Sequence, residues 1–130
     1  MKKIPYGKQS IDRADIDAVV EILKADLLTQ GPKVNEFEVA FSKYVGSKYA
    51  VAVNSATSGL HLAVLALDLK QGGRVITTPI TFAATANCIR YQGGEVWFAD
   101  IDPKSYVLCL ESTRRLIESK PLGFFKGIIP

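Results

Sequence analysis

Residues 49–99 decide the fold, and they read YAVAVNSATSGLHLAVLALDLKQGGRVITTPITFAATANCIRYQGGEVWFA. Short apolar runs alternate here with longer segments of helical periodicity, and glycine pairs mark two of the turns between them. The predicted strands are 49–53, 74–77 and 95–99, and the predicted helices are 58–69 and 82–91. This alternation is typical of an α/β layer with a mostly parallel sheet and right-handed crossovers. The helix at 58–69 is so apolar that we expect it to be buried on more than one side.

Further elements extend the pattern in both directions. The additional predicted elements are helices at 11–27, 33–45 and 111–119 and a strand at 123–129. Asp12 and Asp15 have the spacing of a capping box, and Gly46 is a typical glycine at a helix C-terminus. We therefore expect an N-terminal arm with helices over residues 1–47 and an incomplete α/β domain over residues 48–130. Because the last apolar strand runs into the chain end, we expect a longer parent protein.

The turn at 54–59, Asn-Ser-Ala-Thr-Ser-Gly, is the strongest candidate for a binding site. It lies between a predicted strand and a helix start, where backbone N–H groups lack helical partners and hydroxyl groups lie beside them. Such a turn suits a phosphate, although taken alone it more often indicates a helix cap made by Ser55 or Thr57. A second turn begins at Thr78, also after a strand. Since ligands of parallel sheets bind outside the carboxyl ends of strands, we expect the two turns to share a site.

Composition excludes several classes of function. The 130 residues are 48% hydrophobic and 22% charged, with a net charge of +3, which is ordinary for a soluble globular chain. No basic stripe with interleaved aromatic residues indicates nucleic-acid binding, and no apolar run reaches membrane-spanning length. Cys88 and Cys109 form no CxxC pattern and predict reduced thiols of a cytoplasmic protein. A multi-histidine metal site is impossible because His61, which we interpret as a helix-face residue, is the single histidine.

Several segments taken together resemble one enzyme family. NSATSGLHLAVLAL and ITTPITFAATAN are similar to segments of the sugar aminotransferases that use pyridoxal phosphate (PLP), the DegT/DnrJ/EryC1/StrS family. IPYGKQSIDRADIDAV, LLTQGPKVNEFEVAF and FADIDPKSY resemble that family's N-terminal arm, first helices and third strand, in the same order. The resemblance covers essentially the whole chain. It implies part of the large domain of a fold-type I PLP transferase, whose sites are built at the interface of a homodimer.

The resemblance narrows further to one type of reaction. Within the family, LLTQG, NSATS and TTPITFAATAN are most similar to transaminases that aminate C4 of a UDP-linked 4-keto-6-deoxy-N-acetylhexosamine. Those enzymes act on the pathway to pseudaminic acid. The resemblance therefore implies glutamate as the amino donor and a nucleotide sugar as the acceptor.

The resemblance also implies roles for individual residues. It places the phosphate of PLP on Ala56 and Thr57, with Ser58 sharing the contact, and it places the ring of Phe82 over the pyridine face. The implied nucleotide-sugar contacts are Tyr6, Asp26, Leu27, Leu28 and Thr29. The family's Schiff-base lysine lies beyond residue 130, so we expect no catalytic residue in this chain and no activity of the chain by itself.

Three alternatives stay open at this point. Some family members replace the lysine with histidine and dehydrate a sugar, so the parent protein could be a PLP-dependent dehydratase. The chain could also be a non-catalytic paralogue that pairs with a full-length subunit through its last strand. The third alternative is a module that binds another nucleotide cofactor at the turn of residues 54–59. Against it, the chain contains neither GxGxxG nor GxxxxGK[ST].

Overall fold

The computed structural model of the chain describes residue 5 and residues 7–130. Tyr6, one of the predicted nucleotide-sugar contacts, lies outside the described residues. The chain divides into two compact units, Met1–Ala52 and Val53–Pro130. The boundary expected from sequence, between residues 47 and 48, lies slightly earlier in the chain and stays a prediction.

The first unit contains two helices whose ends follow from local sequence. Helix α1 spans Arg13–Leu23 and begins with a complete capping box, in which the Asp12 side chain accepts the Asp15 N–H and the Asp15 side chain accepts the Asp12 N–H. Helix α2 spans Pro32–Val45 and ends at Gly46, which has a left-handed φ of 71°. Both capping predictions are confirmed. The expected extent of the first helix to residue 27 is wrong, because the chain turns at Lys24 and Ala25 through i→i−3 hydrogen bonds.

The strand predicted at residues 49–53 is absent from the structure. This segment has no ladder hydrogen bonds to any of the three described strands, and Tyr49 and Val51 are mostly exposed. Instead, the Glu38 carboxylate of α2 accepts the Ala52 N–H at 2.7 Å. An apolar run with β propensity forms a strand only where a neighbouring strand pairs with it, and a local pattern does not show whether that neighbour is present.

The second unit is an α/β layer, as predicted. Its elements in chain order are α3 (Ala56–Ala66), β1 (Arg74–Thr77), α4 (Ala83–Tyr91), β2 (Glu95–Phe98), α5 (Leu110–Glu118) and β3 (Phe125–Ile128). The sheet order is β2-β1-β3, and both pairings are parallel. Ile76 lies opposite Trp97 on one side and opposite Ile128 on the other. The mostly parallel α/β fold class predicted from sequence is therefore confirmed.

The hydrophobic core of the second unit lies between the sheet and the helix pair α3 and α4. Its buried members are Val64, Leu69, Val75, Cys88 and Ile89, with Leu60, Val96 and Ile129 packed against them. The expectation that α3 is buried on more than one side is wrong. Val64 is its single buried residue, while Leu62 and Leu65 are 49% and 47% exposed. The second unit covers α3 along one side, and hydrophobic composition alone does not reveal which other surfaces are covered.

An aromatic cluster joins β2 to the segment that leads into β3. The rings of Trp97, Phe124 and Phe125 make edge-on contacts with centroid separations of 5.0 to 5.6 Å. The guanidinium of Arg74 lies 4.3 Å from the Phe124 centroid and donates to Glu95 at 2.8 Å. These contacts tie the amino ends of the three strands together, at the edge of the sheet opposite the predicted site.

Two kinds of feature are missing from the described part of the chain. Over residue 5 and residues 7–130, no helix combines the length and hydropathy needed to cross a membrane. Within the same residues, no group of three or more His, Cys, Asp or Glu side chains is arranged to hold a metal ion.

Candidate functional site

The connectivity of the second unit is compatible with the prediction that the two turns share an edge of the sheet. Helix α4 follows β1 directly, so it begins at the carboxyl end of that strand. Helix α3 leads into the amino end of β1 through a short turn and packs against α4. We therefore expect its first residues to lie towards the carboxyl edge of the sheet, which is where parallel α/β sheets bind ligands.

The start of α3 has the geometry of a helix N-cap and also has backbone N–H groups without partners in the described chain. Ser55 is the N-cap residue, and its Oγ accepts the Ser58 N–H at 3.1 Å. The first N–H groups of a helix have no acceptor within it, and those of Ala56 and Thr57 make no hydrogen bond within the described part of the chain. The cap interpretation is thus correct for Ser55, but the cap leaves two donors without a partner among the described residues.

A second set of hydrogen bonds fixes the side chains of this turn. The Ser58 hydroxyl donates to Asn54 Oδ1 at 2.7 Å, and the Ser55 hydroxyl lies 3.5 Å from the same oxygen. The two serine hydroxyl oxygens are 3.0 Å apart. The role of Asn54 in this turn was not predicted, because its position before the N-cap residue carries no recognised capping signal.

Phe82 occupies the N-cap position of α4, and 78% of its surface is exposed. The backbone at Phe82 is held by a nearby residue: the Thr85 N–H donates to the Phe82 carbonyl at 3.0 Å, and the buried Thr85 has its hydroxyl 3.0 Å from that of Thr81. An exposed aromatic ring at a fixed backbone position offers a flat apolar face to a planar ligand. The structure thus leaves the ring face of Phe82 available, although its role stays a prediction.

Two features near the end of β1 were not predicted. Thr77 is fully buried, and its Oγ1 has no hydrogen-bond partner among the described residues. Beyond it lies a cavity of about 410 Å³, whose lining residues are Thr78, Ile80, Thr81, Tyr106, Val107, Leu108, Leu110 and Pro130. The pair Thr77-Thr78 after an apolar strand is a sequence signal that could have indicated buried hydroxyls at this edge.

One wall of this cavity is held by a turn centred on Asp102. Its Oδ1 accepts the N–H of Ser105 at 2.8 Å, the hydroxyl of Ser105 at 2.9 Å and the N–H of Lys104 at 2.9 Å. These donors, with the Ser105 N–H contributing most, lower the pKa of Asp102 below its ordinary value. Tyr106 follows with a positive φ of 60°, a conformation that such a hydrogen-bonded turn stabilises.

The predicted nucleotide-sugar contacts of the first unit lie in the loop after α1. Leu27 and Leu28 are 62% and 59% exposed. Asp26 and Leu27 line a cavity of about 460 Å³ together with Lys24, Ala25 and Pro32. Thr29 is exposed in the same loop. These four residues are therefore accessible, and their contact with a substrate stays a prediction.

The remaining polar candidates have structural partners. His61 lies on α3, where its Nε2 is 2.7 Å from the Gln92 amide nitrogen and its ring contacts Tyr91 edge-on at 5.3 Å. Cys88 is fully buried and donates to the Thr85 carbonyl, and burial raises the pKa of its thiol. Both cysteines are free. These contacts agree with the interpretation of His61 as a helix-face residue.

The donors at the start of α3 fit the phosphate of the cofactor that the resemblance implies. Two free N–H groups and the Thr57 hydroxyl converge on a helix N-terminus, where the helix dipole favours an anion. None of these donors bonds to another described residue, so each is free to donate to an anion. The chemistry of the turn and the exposed ring of Phe82 thus match a phosphorylated planar ligand.

Comparison with known proteins identifies the chain's relatives. The profile of the DegT/DnrJ/EryC1/StrS aminotransferase family matches residues 9–130. The UDP-4-amino-4,6-dideoxy-N-acetyl-beta-L-altrosamine transaminase of Campylobacter jejuni is 53% identical over 98 residues, which is 75% of this chain and 26% of that protein.

Solved structures agree with this match. The aminotransferase from Psychrobacter cryohalolentis aligns with a TM-score of 0.81 and 31% identity over 95% of this chain and 31% of its own. The E. coli GDP-4-keto-6-deoxy-D-mannose-3-dehydratase with bound hydrated PLP aligns with a TM-score of 0.83 and 29% identity, over 88% of this chain and 31% of its own. The chain thus spans less than a third of the length of each of these proteins. It belongs to the DegT/DnrJ/EryC1/StrS aminotransferase family.

Proposed function

We propose that the protein carrying this chain is a PLP-dependent transaminase of surface-sugar biosynthesis. Its reaction is the transfer of an amino group from glutamate to C4 of a UDP-linked 4-keto-6-deoxy-N-acetylhexosamine. Family membership and the identity to the Campylobacter transaminase support this proposal. The structural observation that carries it is the pair of free N–H groups on Ala56 and Thr57 at the start of α3.

Each predicted residue has a distinct task in this proposal. Ala56 and Thr57 bind the phosphate through their N–H groups and the Thr57 hydroxyl, and Ser58 is the third predicted member of this cup. Phe82 presents its exposed ring to the pyridine face. When bound, PLP supplies the electron sink that allows an amino group to pass between an amino acid and a keto sugar.

The acceptor sugar is assigned to the N-terminal residues. Tyr6 offers a ring face and a hydroxyl to the nucleotide sugar. The accessible loop of Asp26, Leu27, Leu28 and Thr29 completes the proposed contact. The Schiff-base lysine is proposed to lie outside these 130 residues, so the isolated chain is proposed to be inactive and the active protein to be a cytoplasmic homodimer.

A second candidate activity is sugar dehydration. It is favoured by the alignment with the E. coli 3-dehydratase, whose TM-score of 0.83 is as high as that of the aminotransferase. Both activities use the same cofactor, so the features of α3 and α4 do not distinguish them. The sequence match favours transamination, because the Campylobacter transaminase is 53% identical whereas the dehydratase is 29% identical.

One reaction separates the two candidates. The full-length protein is incubated with PLP, glutamate and a UDP-linked 4-keto-6-deoxy-N-acetylhexosamine, and the sugar product is analysed by mass spectrometry and NMR. We expect an amino group at C4 and one 2-oxoglutarate for each sugar converted. A sugar that has lost its C3 hydroxyl and gained no nitrogen would show that the protein is a dehydratase. A control without glutamate must give no amino sugar.

A further inference from the structure

One side chain at the start of α3 has no role in the proposed function, although it organises the turn. Asn54 Oδ1 accepts the Ser58 hydroxyl at 2.7 Å and lies 3.5 Å from the Ser55 hydroxyl. The serine oxygens are 3.0 Å apart, and Ser55 Oγ also accepts the Ser58 N–H at 3.1 Å. Three side-chain oxygen atoms thus form a ring beside the first turn of the helix, in which the two hydroxyl hydrogens make two hydrogen bonds at a time.

A helix cap alone does not require this ring. Ser55 already satisfies the Ser58 N–H, which is the usual bond of a serine N-cap. Because this part of the turn is exposed, water could satisfy the hydroxyl groups equally well, and Asn54 adds little to the burial of the helix. The ring therefore matters for the hydrogen-bond donors that the turn presents to a ligand.

The number of hydroxyl hydrogens decides which hydrogen-bond donors the turn has left for a ligand. A serine hydroxyl has one hydrogen to donate, and the hydrogen of Ser58 is directed at Asn54 Oδ1. Ser58 Oγ then has only lone pairs to offer a ligand, and lone pairs repel a phosphate oxygen. The donors left at the turn are the N–H groups of Ala56 and Thr57 and the hydroxyl of Thr57, none of which bonds to another described residue.

We propose that Asn54 is a positioning residue of the phosphate turn. By holding the hydroxyls of Ser58 and Ser55, it fixes the first turn of α3 so that Ala56 and Thr57 alone present donors to the phosphate. This inference rests on the proposed function, because it requires a phosphorylated cofactor at this helix. It assigns Ser58 an indirect role in place of the direct phosphate contact that the resemblance implies.

The test uses ligands that differ only in the phosphate. Pyridoxine 5′-phosphate and pyridoxine lack the aldehyde, so neither can be captured by a lysine, and their dissociation constants are measured by fluorescence on the full-length protein freed of cofactor. We expect Asn54→Ala to weaken binding of pyridoxine 5′-phosphate about 3- to 10-fold, the effect of losing a hydrogen bond. Binding of pyridoxine should be unchanged. Asn35→Ala, at an exposed asparagine of α2, serves as the matched control and should leave both constants unchanged.

A double-mutant cycle identifies the side chain through which Asn54 acts. Ser58→Ala should weaken binding to a similar extent, and the double variant should be no weaker than either single variant, because all three changes break the same ring. Asn54→Asp keeps an acceptor for the serine hydroxyls but adds a negative charge beside the phosphate. This variant should fold as the wild type does and bind pyridoxine 5′-phosphate less well than Asn54→Ala.

Four results would overturn the proposal. An unchanged constant for pyridoxine 5′-phosphate in Asn54→Ala would show that the ring does not matter. Equal losses for both ligands would show a purely structural role. Additive effects in the cycle would make Ser58 a direct phosphate ligand. If the wild-type protein bound neither ligand, the proposed function would fail together with this inference, which distinguishes that outcome from the other three.

Discussion

At the scale of single residues, Thr57 offers two hydrogen-bond donors to the proposed phosphate site. It is the second residue of α3, and both its N–H and its hydroxyl are free within the described part of the chain. Thr57→Ala removes the hydroxyl and keeps the N–H. We expect it to weaken retention of PLP in the full-length protein by about 1–3 kcal/mol, as for a lost contact to a charged group.

The control for this prediction is Thr57→Ser, which keeps the hydroxyl and should retain PLP almost as well as the wild type. Equilibrium dialysis of the holoenzyme measures both variants. If Thr57→Ala retained PLP as tightly as the wild type, the phosphate cup would not include this hydroxyl, and the turn would be a plain helix cap.

The two cysteines differ in a way that labelling can measure. Cys88 is fully buried and burial raises the pKa of its thiol, so it keeps its proton at pH values where an ordinary thiol ionises. Cys109 is partly exposed at the start of α5. At pH 8 we expect iodoacetamide to modify Cys109 first and Cys88 only after urea is added. Equal rates for the two cysteines in the folded protein would contradict the buried position of Cys88.

The pH dependence of stability has a defined sign at Cys88. A group whose pKa is raised on folding stabilises the fold at pH values below its unfolded pKa. That contribution is lost as the pH rises through the folded value. We therefore expect the free energy of unfolding to fall as the pH rises above 9.0, the ordinary pKa of a thiol. The Cys88→Ala variant should lose this part of the pH dependence.

At the residue scale, the sequence predicts which chemical groups a turn carries better than it predicts how the side chains are oriented. The residues Ser55, Ala56 and Thr57 could be proposed for a helix start because the turn NSATSG has capping chemistry. The ring around Asn54 could not be proposed, because it depends on side-chain rotamers that a linear pattern does not encode. The burial of the Thr77 hydroxyl could not be predicted for a similar reason, since it depends on which elements pack against the end of β1.

At the scale of secondary-structure elements, the glycines Gly94 and Gly59 differ in the space that surrounds them. Gly94 is buried, and a Cβ added there would lie 2.7 Å from Leu69 Cδ2 and 2.8 Å from Ile89 Cγ2. Gly59 is in the interior of α3, where an added Cβ would meet Val53 Cγ2 at an ordinary 3.5 Å. The two positions therefore predict opposite effects of the same substitution.

We expect Gly94→Ala to destabilise the protein by about 1–3 kcal/mol through overpacking between α4 and the sheet. Gly59→Ala should stabilise it by about 0.5–1 kcal/mol, because alanine restricts the unfolded chain and is favoured in helices. Urea denaturation of both variants measures the two changes. A loss of stability in Gly59→Ala, or none in Gly94→Ala, would mean that α3 or α4 is packed differently.

The elements themselves show where pattern reasoning succeeds. β1, β2, β3 and α4 were predicted to within two residues at each end, because their apolar runs are short and bounded by glycine or proline. The segment 49–53 has an equally good strand pattern but forms no ladder in the structure. Strand pairing is a long-range interaction, so β propensity shows that a segment can pair but does not identify its partner.

At the scale of the whole molecule, many large apolar side chains of the described residues are exposed. Helices α1 and α2 contain no buried residue, and Ile16, Val19 and Val20 line a shallow apolar cavity of about 290 Å³ on α1. In the second unit, Phe82 and Ile128 are also exposed. Exposed apolar patches of this kind indicate surfaces that associate with other protein.

We therefore predict that the 130-residue chain associates in solution, which sedimentation velocity measures as a sedimentation coefficient that rises with concentration. Val19→Lys places a charge in the apolar stripe of α1 and should shift the chain towards the monomer. Glu21→Lys changes charge by more, on an exposed polar position of the same helix, and should have little effect. Since burying apolar surface drives such association, cooling should weaken it. A monomer at all concentrations, or equal effects of the two substitutions, would show that the stripe of α1 is not an association surface.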